Sequence, residues 1–154
     1  MDLPSENEYV DAVCQLVSTN ERGEALGAEG GATNDDNCDS TVANIYLASE
    51  DPRAVDAFKA AAPKGWNIYV DRTVAELSPY RPLKGNRASW TARNTQGRAG
   101  LVALGSLLVA LEANDFVLTT QSNWSRLINE LRKNVLDFRC DNCTRVIDLR
   151  PGQW

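Results

Sequence analysis

Three groups of residues in this 154-residue chain have the types and spacing for binding chemistry. The first is the polar turn Thr120-Gln121-Ser122-Asn123. It follows a short apolar run, Phe116 to Thr119, and precedes Trp124, Leu127, Ile128 and Leu131. Those four have the i, i+3, i+4, i+7 spacing of a one-sided helix. The turn therefore joins a strand's carboxyl end to a helix's amino end, where free backbone N–H groups and the helix dipole favour an anion. The second group is Ser49-Glu50-Asp51, which closes an apolar run from Ala43 to Ala48. Asp51 also suits a helix cap, with Pro52 as the first helical residue. The third is the basic stretch between Asp71 and Gly97. Here Arg72, Arg81, Lys84, Arg87 and Arg93 face only Asp71 and Glu76. Such a segment can attract a pyrophosphate or an anionic acceptor, or simply be a solvated loop. Tyr80 and Trp90 could stack on a sugar or pin the loop to the core.

The elements that position these groups alternate in type. Ser5-x-x-Glu8 has capping-box form ahead of a helix with Tyr9, Val13, Leu16 and Val17 on one face. Residues 20–41, rich in Gly, Ala, Asn and Asp, read as a flexible loop. Its Asn34-Asp35-Asp36-Asn37 cluster lacks the spacing of a calcium loop. A strand at 43–48, a helix from Pro52 to about Ala62 and a strand at 66–70 follow. An irregular basic loop over 71–97 comes next, then an apolar helix from Gly97 to Asn114. That helix is apolar nearly all round and should be buried on most sides. The strand 116–119, the helix after the turn and a last strand near Arg145–Leu149 complete the chain. This order implies one α/β domain, residues 1–154, with a Rossmann-like parallel sheet and flanking helices. Ligands in such sheets bind beyond the carboxyl ends of the strands, and both polar groups, at 49–51 and 120–123, fall there.

Composition excludes other chemistries. The chain has no histidine, so no His-based triad, His metal site or His general base exists within it. A net charge of −5 argues against a nucleic-acid partner. Residues 1–8 have neither the basic nor the apolar region of a signal peptide. The run Ala99–Leu111 is too short to span a bilayer, so no membrane segment is expected. Cys140-Asp141-Asn142-Cys143 is a single C-x-x-C, and zinc would lack ligands without histidine. A local disulfide there requires an oxidising compartment. Two sequons, Asn123-Trp-Ser and Asn142-Cys-Thr, are short enough to arise by chance. A glycan on Asn123 would obstruct the polar turn.

The stretch ALEANDFVLTTQSNWSRLINELR resembles the donor-binding end of alpha-1,6-fucosyltransferase-like glycosyltransferases, the family 23 group. The residues that carry the resemblance are Ala113, Asp115, Phe116, Thr120, Ser122, Asn123 and Arg126. Ile45-Tyr-Leu-Ala-Ser-Glu-Asp-Pro52 is similar to an earlier strand end of the same family, in the family's order and at about its spacing. The likeness covers roughly residues 42–135. It implies the donor-binding half of a GT-B fold, GDP-fucose as donor substrate, a glycan or glycoprotein acceptor, and no metal or other cofactor. It further implies that Ser122 and Asn123 contact the diphosphate and that Glu50 and Asp51 accept hydrogen bonds from the nucleoside. Thr120, Arg126 and Arg98 join the donor site, Arg98 by matching an arginine at the start of the family's apolar helix. The setting implied is the Golgi or secretory pathway. Two departures stand out. The family's upstream arginine segment, which holds the diphosphate, has no counterpart, so the chain is expected to be part of a longer enzyme and its catalytic residues are unassigned. The place of a guanine-reading Asp is taken by Leu107 or its neighbour Ser106. A noncatalytic Rossmann-like binding or interaction domain is the alternative.

Overall fold

The computed structural model describes residues 4–21, 38, 41–49, 51–71 and 88–152. Glu50, most of the 20–41 loop, and the basic segment 72–87 with Tyr80 lie outside these residues.

The first helix, α1 (Glu6–Glu21), begins with the capping box expected from sequence. The Glu8 N–H donates to Ser5 Oγ at 3.3 Å, and the Ser5 N–H donates to the Glu8 carboxylate at 2.8 Å. Strand β1 (Asn44–Leu47) leads to α2 (Pro52–Ala61), and β2 (Asn67–Val70) pairs with β1 in parallel, Asn44 opposite Asn67 and Leu47 opposite Val70. Helix α2 buries Val55 and Phe58, and Phe58 packs against Trp66 with ring centroids 6.5 Å apart. Together with Ala43 and the inner face of α1, Phe58 and Trp66 form one core. A disulfide between Cys14 and Cys38 joins α1 to its edge.

The second half starts with α3 (Ala88–Asn94), a short helix within the region expected to be irregular. Thr95 ends it, its hydroxyl donating to the Thr91 carbonyl at 2.8 Å. Gly97 then adopts a left-handed φ of 80° and opens α4 (Arg98–Ala110). Strand β3 (Asp115–Leu118), α5 (Asn123–Leu131), a π-helical stretch (Arg132–Asp137), the short α6 (Phe138–Cys140) and β4 (Arg145–Asp148) follow. Strand β4 pairs in parallel with β3, Asp115 opposite Arg145. The second core gathers Leu107, Ala110, Phe116, Leu118 and Ile128, with Tyr46 of β1 packed against it.

The architecture is thus α/β, with parallel strands joined through helices, and the strands form two pairs, β1–β2 and β3–β4. Among the described residues no backbone hydrogen bond links β1 to β3. Helix α4 differs from expectation. It buries Ala99, Ser106, Leu107 and Ala110, but Leu101 is 73% exposed and Leu108 58%. One side of the helix meets the core. The other side has no covering element among the described residues. No described helix is long and apolar enough to cross a membrane.

Candidate functional site

Because β1 and β3 are not joined, a groove of about 920 Å³ runs between them. Strand residues 44–47 and 115–118 line it, and α1 and α4 form part of its walls. At the carboxyl ends of the two strands it is bordered by Ser49, Thr119 and Ser122, with Trp124 and Ser125 from the first turn of α5. This is where a parallel α/β arrangement places its ligands.

The two polar motifs behave differently. Asp51 is committed to its own helix. Its carboxylate accepts the Arg53 N–H at 3.0 Å and pairs with the Arg53 guanidinium at 3.2 Å. Ser49 Oγ in turn accepts the Asp51 N–H at 3.1 Å. This is a complete N-cap, and it accounts for Asp51 without a ligand. Ser122 occupies the N-cap position of α5, but its side chain makes no capping hydrogen bond. Its hydroxyl is exposed and borders the groove.

Of the other residues proposed from sequence, Thr120 is 4% exposed and does not line the groove. Its hydroxyl donates to the Asp148 carboxylate and accepts the Gly152 N–H at 2.8 Å. The Thr120 N–H donates to Asp148 at 3.0 Å, and the Gln121 N–H donates to the Arg150 carbonyl at 3.1 Å. Strand β4 and the residues after it therefore hold the turn in shape. Asn123 opens α5 and its side-chain oxygen accepts from the Arg126 guanidinium. Arg98 is the first residue of α4. Asn123, Arg126 and Arg98 all lie outside the groove lining. The structure thus brings Ser122 to the groove, places Asn123 and Arg126 together beside it, and sets Asp51 and Thr120 to structural work.

Sequence reasoning missed a buried polar group in the groove wall. Asp71, just beyond β2, and Ser106 in α4 are 4% and 7% exposed, and Ser106 Oγ donates to Asp71 at 2.6 Å. Tyr46 joins them from β1. Burial pushes its hydroxyl above the ordinary value, the Ser106 hydrogen bond opposes that rise, and the negative Asp71 adds to it. The available signal was a lone serine in an apolar helix and an acid directly after a strand. A second missed network is Arg132–Asp137–Thr144. The Arg132 guanidinium meets Asp137 at 2.5 Å, both being buried, and Thr144 donates its N–H and hydroxyl to the same carboxylate at 3.0 and 2.6 Å. The Asp137, Cys140 and Cys143 ligand atoms lie within 4.8 Å of one another. The two sulfurs, however, are joined in a disulfide, and Asp137 is engaged by Arg132 and Thr144.

Among the described residues, the groove's charged lining is Glu6, Asp71, Glu112 and Asp115, with no lysine or arginine. Asp115 is neutralised by Arg145, which donates at 2.6 and 2.7 Å. The groove therefore offers hydrogen-bond acceptors readily, and offers an anion only hydroxyls and helix-terminal N–H groups. No protein-family model matches the chain, and neither the curated proteins nor the solved structures include a match to it.

Proposed function

We propose that the chain is the donor-binding portion of a fucosyltransferase-like glycosyltransferase, with GDP-fucose as donor and a glycan or glycoprotein as acceptor. The observation that carries this reading is the groove between β1 and β3, with Ser122, at the start of α5 and without a side-chain capping bond, on its border beyond the strands' carboxyl ends. The likeness of residues 42–135 to that family supplies the identity of the donor. In this reading the diphosphate lies over the first turn of α5, against the Ser122 hydroxyl and the helix N–H groups. Asp71 and Ser106 offer acceptors to the nucleoside or sugar hydroxyls from the groove wall. A continuous Rossmann-like sheet, as in a GT-B half, belongs to the same proposal and needs β1 and β3 to share an edge.

The acidic lining favours a divided site. With no cation in the described groove wall, the diphosphate charge must be met by a segment outside it, as the family's upstream arginine would do. The alternative, a noncatalytic α/β binding or interaction domain, follows if no such partner exists. Calorimetric titration of the folded protein with GDP, with UDP and ADP as controls, tests the reading. Saturable GDP binding that is lost in Ser122→Trp supports it. Absence of GDP binding by a protein with native circular dichroism refutes autonomous donor recognition and leaves the noncatalytic domain.

A further inference from the structure

We propose that Asn142 carries an N-linked glycan, and that it is the modified one of the chain's two sequons. The first observation is the state of the cysteines. All four are paired, Cys14 with Cys38 and Cys140 with Cys143. Disulfides form and persist in oxidising compartments, and N-linked glycans are attached to Asn-x-Ser/Thr acceptors of proteins that pass through them. The inference rests on these pairings and on the turn described next, and stands apart from the donor reading.

The second observation is the geometry of the two acceptors. Asn142 is exposed, at φ 62°, directly after Asp141 at φ 58°. Asparagine is among the few residues that tolerate this left-handed region. Its backbone N–H is anchored to the Asp137 carbonyl at 3.0 Å, while its side chain makes no hydrogen bond among the described residues. No residue from 138 to 144 lines the groove, so a glycan here leaves the groove open. Asn123 is exposed as well, but it opens α5, its side-chain oxygen is held by Arg126, and its neighbours Ser122 and Trp124 line the groove.

The reaction joins Asn142 Nδ2 to the anomeric carbon of an oligosaccharide carried on a lipid diphosphate. The bond from that carbon to the diphosphate oxygen breaks, the lipid diphosphate leaves, and the Nδ2 proton passes to a base of the transferase. The acceptor's Thr144 hydroxyl is taken up by Asp137 and Arg132 in the folded chain, and Cys143 is tied to Cys140. Transfer therefore precedes closure of this turn, while the chain is still being made.

The test is peptide mapping of the protein recovered from the organism that makes it, after enzymatic release of N-glycans. The expected result is conversion of Asn142 to Asp on release, with Asn123 unmodified and no free thiol. In a eukaryotic host that directs the chain into the endoplasmic reticulum, N142Q should abolish the glycosidase-sensitive mobility shift and N123Q should retain it. The proposal is overturned if the native protein shows no glycan while both disulfides are present, if the glycan maps to Asn123, or if the native cysteines are free thiols.

Discussion

Thr120 and Ser122 stand two residues apart in the same polar turn, and the structure gives them opposite jobs. Substituting Thr120 by Val keeps the volume and deletes the hydroxyl. Two partners then lose a bond: the Asp148 carboxylate loses a donor, and the Gly152 N–H loses its acceptor at 2.8 Å. A hydrogen bond to a charged group contributes about 1.5–3 kcal/mol and a neutral one about 1 kcal/mol. Asp148 keeps the Thr120 N–H at 3.0 Å and the Arg150 N–H at 3.2 Å, which limits the loss on that side. The expected destabilisation is about 2–4 kcal/mol. Ser122→Ala removes an exposed hydroxyl with no capping bond, so its cost should stay within about 0.5 kcal/mol. Urea unfolding of both variants, followed by far-ultraviolet circular dichroism, measures the two values. GDP titration should weaken in Ser122→Ala without loss of fold. If Thr120→Val unfolds within about 0.5 kcal/mol of the parent, the turn is not held by β4 and its segment, and the assignment of Thr120 to structure is refuted.

Two further outcomes follow from the electrostatics and the cross-links. Thr144 hydrogen bonding holds the Asp137 carboxyl below the ordinary carboxylate range against the opposing effect of burial, and Arg132 adds to the lowering. A depressed folded value means this contribution is complete above the unfolded value of about 3.9 and is lost as pH falls through the folded one. Asp137→Asn should therefore be less stable at pH 7 and show a shallower loss below about pH 4, read from unfolding midpoints across pH; an unchanged acid limb would count against the network. The disulfides differ in the loops they close, with separations of 24 for Cys14–Cys38 and 3 for Cys140–Cys143. The chain-entropy relation then assigns about 3–4 kcal/mol to the first and about 2 kcal/mol to the second. Replacing Cys14 and Cys38 by Ala should lower the thermal midpoint more than replacing Cys140 and Cys143, and the reverse order would show that local geometry outweighs loop length.

Much of the local structure was legible because its causes are local. The capping box at Ser5 and Glu8, the Asp51–Pro52 helix start and the one-sided spacing of Trp124, Leu127, Ile128 and Leu131 each depend on residues within two turns of one another. Helix α3 was missed because Ala88–Asn94 is short and sits between loop residues, where propensity is a weak signal. The apolar α4 was expected to be buried on most sides, yet Leu101, Leu104 and Leu108 are exposed. Composition reports how apolar a helix is, and only the neighbours it meets decide which side they cover.

The site divides in the same way. The sequence by itself determined that the chain has no histidine chemistry, that strands alternate with helices, and that the polar motifs at 49–51 and 120–123 close two of those strands. Only the tertiary structure decided what those motifs do. Asp71 meets Ser106 across 35 residues and Thr120 meets Asp148 across 28, separations at which no periodicity carries information. Those contacts place a buried carboxylate in the groove wall, tie the Thr120 hydroxyl to Asp148 and Gly152 and leave Ser122 on the border of the groove. The physical reason is that a hydroxyl or carboxylate is identical in sequence whether it meets protein or ligand, and its partner is set by which distant strand end folds against it.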